Sequence, residues 1–397
     1  MRKTILAALL CAFAAASAAA GTPKNEPLPE DLRLLSKKGI DAIYAVDIPE
    51  ARKNFEEALK RYPDHPYPHF GMAMTKWATL EYLEDESDPN LEKEYGRMTD
   101  EAIDVGLAWI KKHPGDANAY LCLGGMYGLR ARLAVLQHSW IKAYFDGKKA
   151  ISNTKMALKI DPELYDAYLG LGMYEYYAGT LSGVVKILAK FFLRGDAQEG
   201  IKLLTVCKEK GYFNALAAKL LLIEIYTTTG SPYANRDLAV KWSRELRAEY
   251  PSHPQMHFVE IVSLFEARQY DEARRESLAY LKAVEDGRPA YRRRYLPRVL
   301  TAIGTTYLVE KKYDEAADYF AKAAATLKED PKPARWGVWA IVRLGNVYDL
   351  KGVRSKALAY YNEAKAYKDE WGFSESIALY LKKPFAEAQL PGQMPPP

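Results

Sequence analysis

The chain has 397 residues, 49% of them hydrophobic and 27% charged, with 25 Gly and 22 Pro. That composition excludes a chain dominated by disorder and a collagen-like or linker-dominated one. A net charge of +5 lacks the concentrated basic footprint of a nucleic-acid binder, so no nucleic-acid partner is expected, and 29 Tyr against 12 Phe calls for an explanation.

The first segment, MRKTILAALLCAFAAASAAA, has a charged start at Arg2 and Lys3, an apolar stretch from Thr4 to Ala16, and small residues Ala18-Ala19-Ala20 before Gly21. These three parts predict a secretory signal peptide over residues 1–20. The apolar run is too short for a comfortable membrane span. Cys11 sits inside that run without the small residues before it that a lipoprotein would show. Removal of the signal takes two positive charges with it and leaves +3. The expected location is therefore the periplasm or outside the cell, with outer-membrane association as an open variant. Residues 21–31 read as an N-terminal linker. Cys122 and Cys207 fall in amphipathic helical patterns and read as buried free thiols.

From residue 32 onward one pattern recurs. Ala51, Phe55, Ala58 and Pro63 are spaced four, three and five apart. Ala102, Gly106, Trp109 and Pro114 keep that spacing, as do Ala150, Thr154, Ala157 and Pro162, and Ala239, Ser243, Leu246 and Pro251. Ala316, Phe320 and Ala323, and Ala357, Tyr361 and Ala364, match its first three positions. Ala273, Ser277 and Tyr280, and Gly200, Leu204 and Cys207, are weaker copies. Steps of four and three place these residues on one helix face, and Pro ends the helix. A Gly and a Tyr precede the pattern at fixed offsets, as in Gly304, Tyr307 and Ala316 and in Gly345, Tyr348 and Ala357. Tyr120, Leu123, Gly124 and Tyr127 show this element most fully. The Gly lets a partner helix approach and the Tyr covers the seam, which accounts for much of the Tyr excess.

These residues resemble the tetratricopeptide repeat, a helix–turn–helix unit with a W-x2-L-G-x2-Y…A-x3-F…P pattern. Tyr or His often stands where that pattern has its first Trp. The resemblance covers residues 32–371. It implies an all-α, right-handed superhelical solenoid of about eight helix pairs, in which stacking buries stripes that no single pair could bury. Residues 372–397 read as a C-terminal segment with a disordered Pro-rich tail, PGQMPPP.

Repeats 2–4 are longer than the rest. Gly124 to Ala150 is 26 residues and Gly172 to Gly200 is 28, where compact copies have 12. The extra residues fall between the two helices of each repeat, and such insertions commonly mark a binding face. The first insert is acidic, with Glu81, Glu84, Asp85, Glu86 and Asp88. The second, LRARLAVLQHSWIKAYFDGKK, is amphipathic with Trp140, Tyr144 and Phe145. In the third, residues 181–195, Lys186, Lys190 and Arg194 recur every four residues beside Phe191 and Phe192. That basic apolar stretch is a candidate partner or membrane surface. Together with MYEYYAG before it and RGDAQEGIKLL after it, this stretch is similar to tetratricopeptide proteins of the outer-membrane Iml2-like type.

Chemistry-bearing motifs are few. YPDHPYPHF, with His65 and His69, is echoed by YPSHPQMHF, with His253 and His257. Zinc needs three or four ligands, and a pair repeated at the same inter-repeat turn reads as part of the repeat, so no metal is expected. No G-x-S-x-G, H-E-x-x-H or P-loop occurs, and neither a catalytic residue nor a cofactor is expected. Arg292, Arg293 and Arg294 read as a solvated helix start. The groove implied by the resemblance is lined by first-helix residues: Tyr67, Phe70, Met74, Trp77, Met173, Tyr176, Phe258, Phe265 and Asn346. The expectation is a non-enzymatic scaffold of the bacterial cell envelope that binds a protein or peptide through this groove and a ledge of insertions. The alternative is a membrane-peripheral assembly or lipid-handling factor that uses residues 181–195.

Overall fold

The computed structural model describes residues 23–82, 89–137, 139–180, 195–228, 230–328, 335–367, 372–390 and 394. Among them the regular structure is helical throughout. The helices are α1 (Glu30–Tyr44), α2 (Ile48–Arg61), α3 (Pro66–Tyr82), α4 (Pro89–Lys112), α5 (Ala117–Leu136), α6 (Trp140–Ile160), α7 (Tyr168–Thr180) and α8 (Ala197–Lys210). They continue with α9 (Ala215–Thr227), α10 (Arg236–Glu249), α11 (Pro254–Glu266), α12 (Tyr270–Glu285), α13 (Leu296–Val309), α14 (Tyr313–Ala325), α15 (Arg335–Leu350), α16 (Arg354–Lys365) and α17 (Ser374–Lys382). The fold is an all-α solenoid of helix hairpins: α1–α2, α3–α4, α5–α6, α7–α8, α11–α12, α13–α14 and α15–α16 each pack as a pair. First helices also touch first helices, as α1 does α3, α3 does α5, and α13 does α15. The chain divides into two compact units, one up to Lys219 and one from Leu220, within α9.

The seam of each hairpin explains the repeated residues. Ala51, Ala58, Ala239, Ala273, Ala316, Ala323 and Ala357 are all fully buried, as are Phe320 and Tyr361 between them. A Cβ built on Gly39 would lie 2.5 Å from the Phe55 ring; on Gly304, 2.7 Å from Phe320; and on Gly345, 2.3 Å from Tyr361. In each case the first helix lacks a side chain where the second helix inserts a ring. The two partners are 16 residues apart in all three repeats.

In the longer repeats the same seam joins Gly124 to Thr154 and Gly172 to Leu204, partners 30 and 32 residues apart. The extra 14 residues of the Gly124 repeat are helix. Helices α5 and α6 hold 20 and 21 residues, against 14 and 13 in α13 and α14. The second insert is therefore a prolongation of both helices past the seam, by roughly 10 Å each at ~1.5 Å per residue. The first repeat with an insert is also prolonged, since α4 has 24 residues. The acidic residues Glu84, Asp85, Glu86 and Asp88 lie outside the described residues.

Helix starts follow the capping chemistry of short polar side chains. Asp47 accepts from the Glu50 N–H at 3.1 Å, Asp116 from Ala119 at 2.9 Å, and Asn235 from Leu238 at 3.3 Å. His65 and His253 do the same work through Nδ1, accepting from Tyr67 N–H and Gln255 N–H, each at 3.1 Å. Within the echoed motif, the first histidine of each copy is thus a helix cap.

Two end segments differ from expectation. Residues 23–29 are pinned rather than a free linker: the Glu26 N–H donates to Gly115 O at 2.9 Å, and its carboxylate meets His113 Nδ1 at 2.9 Å. At the other end the Phe385 N–H donates to the Asp349 carboxylate at 2.8 Å, and Met394 is buried in the core cluster around Phe258 and Tyr280. Met394 is an apolar anchor inside a tail expected to be disordered; the rest of PGQMPPP lies outside the described residues. Cys122 and Cys207 are free and buried, and burial raises both thiol pKa values.

Candidate interaction surfaces

The nine residues expected in the groove separate by burial. Tyr67 packs on Phe213 at 5.3 Å inside the first unit, and Tyr176 is buried on α7. Phe258 is fully enclosed, edge-on to Tyr280 and Trp336, with the Arg298 guanidinium 3.9 Å from its ring centre. Phe265 is buried beside Tyr270. Asn346 has no exposed surface; its amide donates to the Tyr361 hydroxyl at 2.9 Å. These five are core residues, and no partner can reach them. The reason is local. Helix α11 buries Pro254, Met256, His257, Phe258, Glu260, Ile261, Ser263, Leu264 and Phe265, so it has nearly no solvent face.

Phe70, Met74 and Trp77 remain half-exposed along one side of α3, and Met173 is exposed on α7. Phe70 also closes on Gly125, where a Cβ would meet its ring at 2.8 Å. Two neighbours that sequence spacing did not single out give this stripe its charge. The Arg132 guanidinium lies 5.1 Å from the Trp77 ring centre, and Lys76 pairs with Glu94 at 2.8 Å. Tyr177, next to Tyr176, is exposed as well. The basic residues Lys186, Lys190 and Arg194, with Phe191 and Phe192, lie outside the described residues.

In the second unit, His257 on α11 meets the Tyr291 hydroxyl at 3.0 Å through Nδ1 and the Glu276 carboxylate at 3.6 Å through Nε2. Burial pulls the His257 pKa down to about 3, with the Arg247 and Arg288 charges adding to it, and this outweighs Glu276. Glu260 is raised by burial first and by Glu276 second. Close by, an open recess of about 560 Å³ is lined by Asp237, Val240, Lys241, Arg244, Glu245 and Gln269. Arg244 is engaged by Glu272 at 2.5 Å and faces Glu260 at 3.9 Å. A buried, neutral histidine with a hydroxyl on one nitrogen and a carboxylate near the other is held as structure. Mixed charges around one apolar side chain can take a polar chain segment but set up no nucleophile and base. Among the described residues no three His, Cys, Asp or Glu side chains cluster as metal ligands. No described helix is long and apolar enough to cross a membrane.

What decides the repeat type is the seam: a first-helix Gly facing a ring on the second helix, flanked by buried Ala at steps of four and three. The hairpins are tetratricopeptide-type repeats. No family model matches the chain, and no curated protein matches it. Among solved structures, it is similar to that of the APC/C hetero-tetramer Cut9-Hcn1, with 14% identity over 84% of this chain and a TM-score of 0.44. The chain spans 59% of the length of that neighbour. A tetratricopeptide repeat protein from Parabacteroides merdae matches with 12% identity over 89% of this chain and 98% of its own, at a TM-score of 0.32. The human IFIT1 dimer with m7Gppp-AAAA matches with 12% identity over 90% of this chain and 86% of its own, at a TM-score of 0.49. None reaches 0.5, so the repeat assignment rests on the chain's own packing.

Proposed function

We propose that this chain is a non-catalytic scaffold of the bacterial cell envelope that binds a protein or peptide partner on the first-helix face of its N-terminal repeats. The observation that carries the reading is the stripe of Phe70, Met74 and Trp77, which pack in part against the core clusters and keep the rest of their surface exposed along one side of α3. Large apolar side chains held in place by a rigid helix lose little freedom on binding. A few such anchors supply most of the affinity of an interface. Covering the surface these side chains still expose contributes a fraction of the about 1.5–3 kcal/mol of burying a wholly exposed one. Arg132 over Trp77 adds a cation at the rim, where it favours an acidic or carbonyl-rich segment. The envelope setting rests on the signal-peptide pattern of residues 1–20 and belongs to the proposal.

The test is in-cell crosslinking and mass spectrometry of the wild-type chain and of the Met74→Ala/Trp77→Ala variant. The reading expects one reproducible partner with the wild type and its loss in the variant, at unchanged helix content. An identical set of crosslinked proteins in both would refute it. The membrane-peripheral alternative through 181–195 has no described residue to support it, save Gly195 at its end.

A further inference from the structure

Ten large apolar side chains are exposed among the described residues, and four of them fall within eleven positions: Val135 at 43%, Trp140 at 62%, Ile141 at 77% and Phe145 at 56%. All four lie at the free end of the α5–α6 hairpin, the part prolonged past the packed seam. Residues 140, 141, 144, 145 and 148 share one face of α6. Asp146 points elsewhere, buried against Arg130 of α5 with bonds of 2.7 and 2.9 Å. The two helices are thus tied together near the tip, while the four apolar side chains keep much of their surface exposed.

Charge selects the occupant. Between Arg132 and Lys149 the chain carries four Lys or Arg and one acid, Asp146. Asp146 and Asp100 are both engaged by Arg130. Lys142, Lys148 and Lys149 are exposed on α6; Lys148 lies 5.8 Å from the Tyr144 ring centre, and Lys149, further from the tip, lies 5.1 Å from that of Tyr127 on α5. Exposed apolar side chains on one helix face, with lysines beside them, present a surface rather than a recess. Trp beside Lys at the rim of an apolar patch is the composition that suits a membrane–water boundary.

We propose that the end of the α5–α6 hairpin docks on an anionic phospholipid bilayer. Trp140, Ile141 and Phe145 enter the headgroup boundary, and Lys142, Lys148 and Lys149 face the lipid phosphates. Three apolar side chains alone bind a bilayer weakly, so attachment requires the charges as well. This docking does not depend on the partner-binding reading: it uses a different helix face and can hold if no protein partner exists.

The experiment uses the chain from residue 21 with Ile141→Cys carrying an environment-sensitive fluorophore, and vesicles of phosphatidylcholine with about one quarter phosphatidylglycerol. The expected result is a blue-shifted emission and co-flotation with these vesicles, neither occurring with pure phosphatidylcholine. Binding falls about tenfold or more in Trp140→Ser/Ile141→Ser/Phe145→Ser and in Lys142→Glu/Lys148→Glu/Lys149→Glu, and weakens as salt is raised. Circular dichroism and the melting temperature of both variants match the wild type, since the replaced side chains are exposed. The proposal is overturned if the label is unmoved by anionic vesicles or if the serine variant floats like the wild type. It is equally overturned if the label shifts with protein concentration alone and vesicles add nothing, which would make the tip a contact between copies of the chain.

Discussion

Arg130 holds Asp146 in a two-pronged pair, Nε to Oδ2 at 2.9 Å and Nη2 to Oδ1 at 2.7 Å, across the prolonged α5–α6 hairpin. The Asp146 side chain is 4% exposed and that of Arg130 18%, and Arg130 reaches on to Asp100 of α4 at 2.7 Å. The pair joins the two helices beyond the Gly124 seam. Arg130→Ala leaves a buried carboxylate without its partner and is expected to cost about 2–4 kcal/mol. Hydrogen exchange locates the effect: amides of 130–150 lose protection, while those of α13 and α14 keep theirs. Uniform loss of protection along the chain would contradict this assignment.

The seam makes a second prediction. Gly304→Ala and Gly345→Ala each drive a methyl group into a ring that cannot retreat, and both are expected to destabilise by about 1–3 kcal/mol in denaturant unfolding. Shrinking the opposing ring relieves the clash. Gly304→Ala with Phe320→Leu is therefore expected to be more stable than the sum of the two single changes predicts. Strict additivity would mean that the two residues do not share a seam.

These same seams were legible in the sequence because small residues at fixed steps leave few packing solutions. Ala51, Phe55 and Ala58, and Ala357, Tyr361 and Ala364, are buried where periodicity put them. Which apolar residues face a partner was not legible. Phe258, Phe265 and Asn346 occupy first-helix positions like those of Met74 and Trp77, yet they are enclosed. Covered by its own second helix and by the next repeat, a first helix is apolar nearly all round, and a period of 3.6 cannot then tell groove from core. Similarly, chain spacing fixed the size of the second insert but not its form. Only the positions of the helix ends show that the added residues prolong α5 and α6 to an exposed tip.

Both cysteines are expected to be silent in the folded protein. Burial lifts the Cys207 pKa to about 12 and that of Cys122 well above its ordinary range, so neither supplies thiolate at neutral pH. In a chain starting at residue 21, a thiol reagent should titrate no group in buffer and two in denaturant. A rapid reaction in buffer at either position would show that its helix opens locally.

The second unit should weaken with acid earlier than its carboxylates require. Burial depresses His253 to about 4 and His257 to about 3 from an ordinary value near 6.5. Between about 6.5 and 4 the unfolded chain binds protons that the folded chain refuses, so stability falls as pH falls, by roughly 1.4 kcal/mol per pH unit per histidine. Glu260, raised by burial and by Glu276, opposes this only near its own lower range. Urea midpoints at pH 7 and pH 5 measure the slope. His253→Asn, which keeps a capping acceptor, combined with His257→Asn, is expected to flatten it. An unchanged slope in that variant would place the acid sensitivity elsewhere.

The central claim, a scaffold that binds through the first-helix face of its N-terminal repeats, is tested most directly by a photo-crosslinking residue placed singly at Met74, at Met173 and, as a control on the exposed second-helix side, at Lys53. The account predicts that irradiation of cells yields one discrete partner adduct from position 74 or 173 and none from 53. Equal labelling from all three positions, or no adduct from 74 and 173, would contradict it.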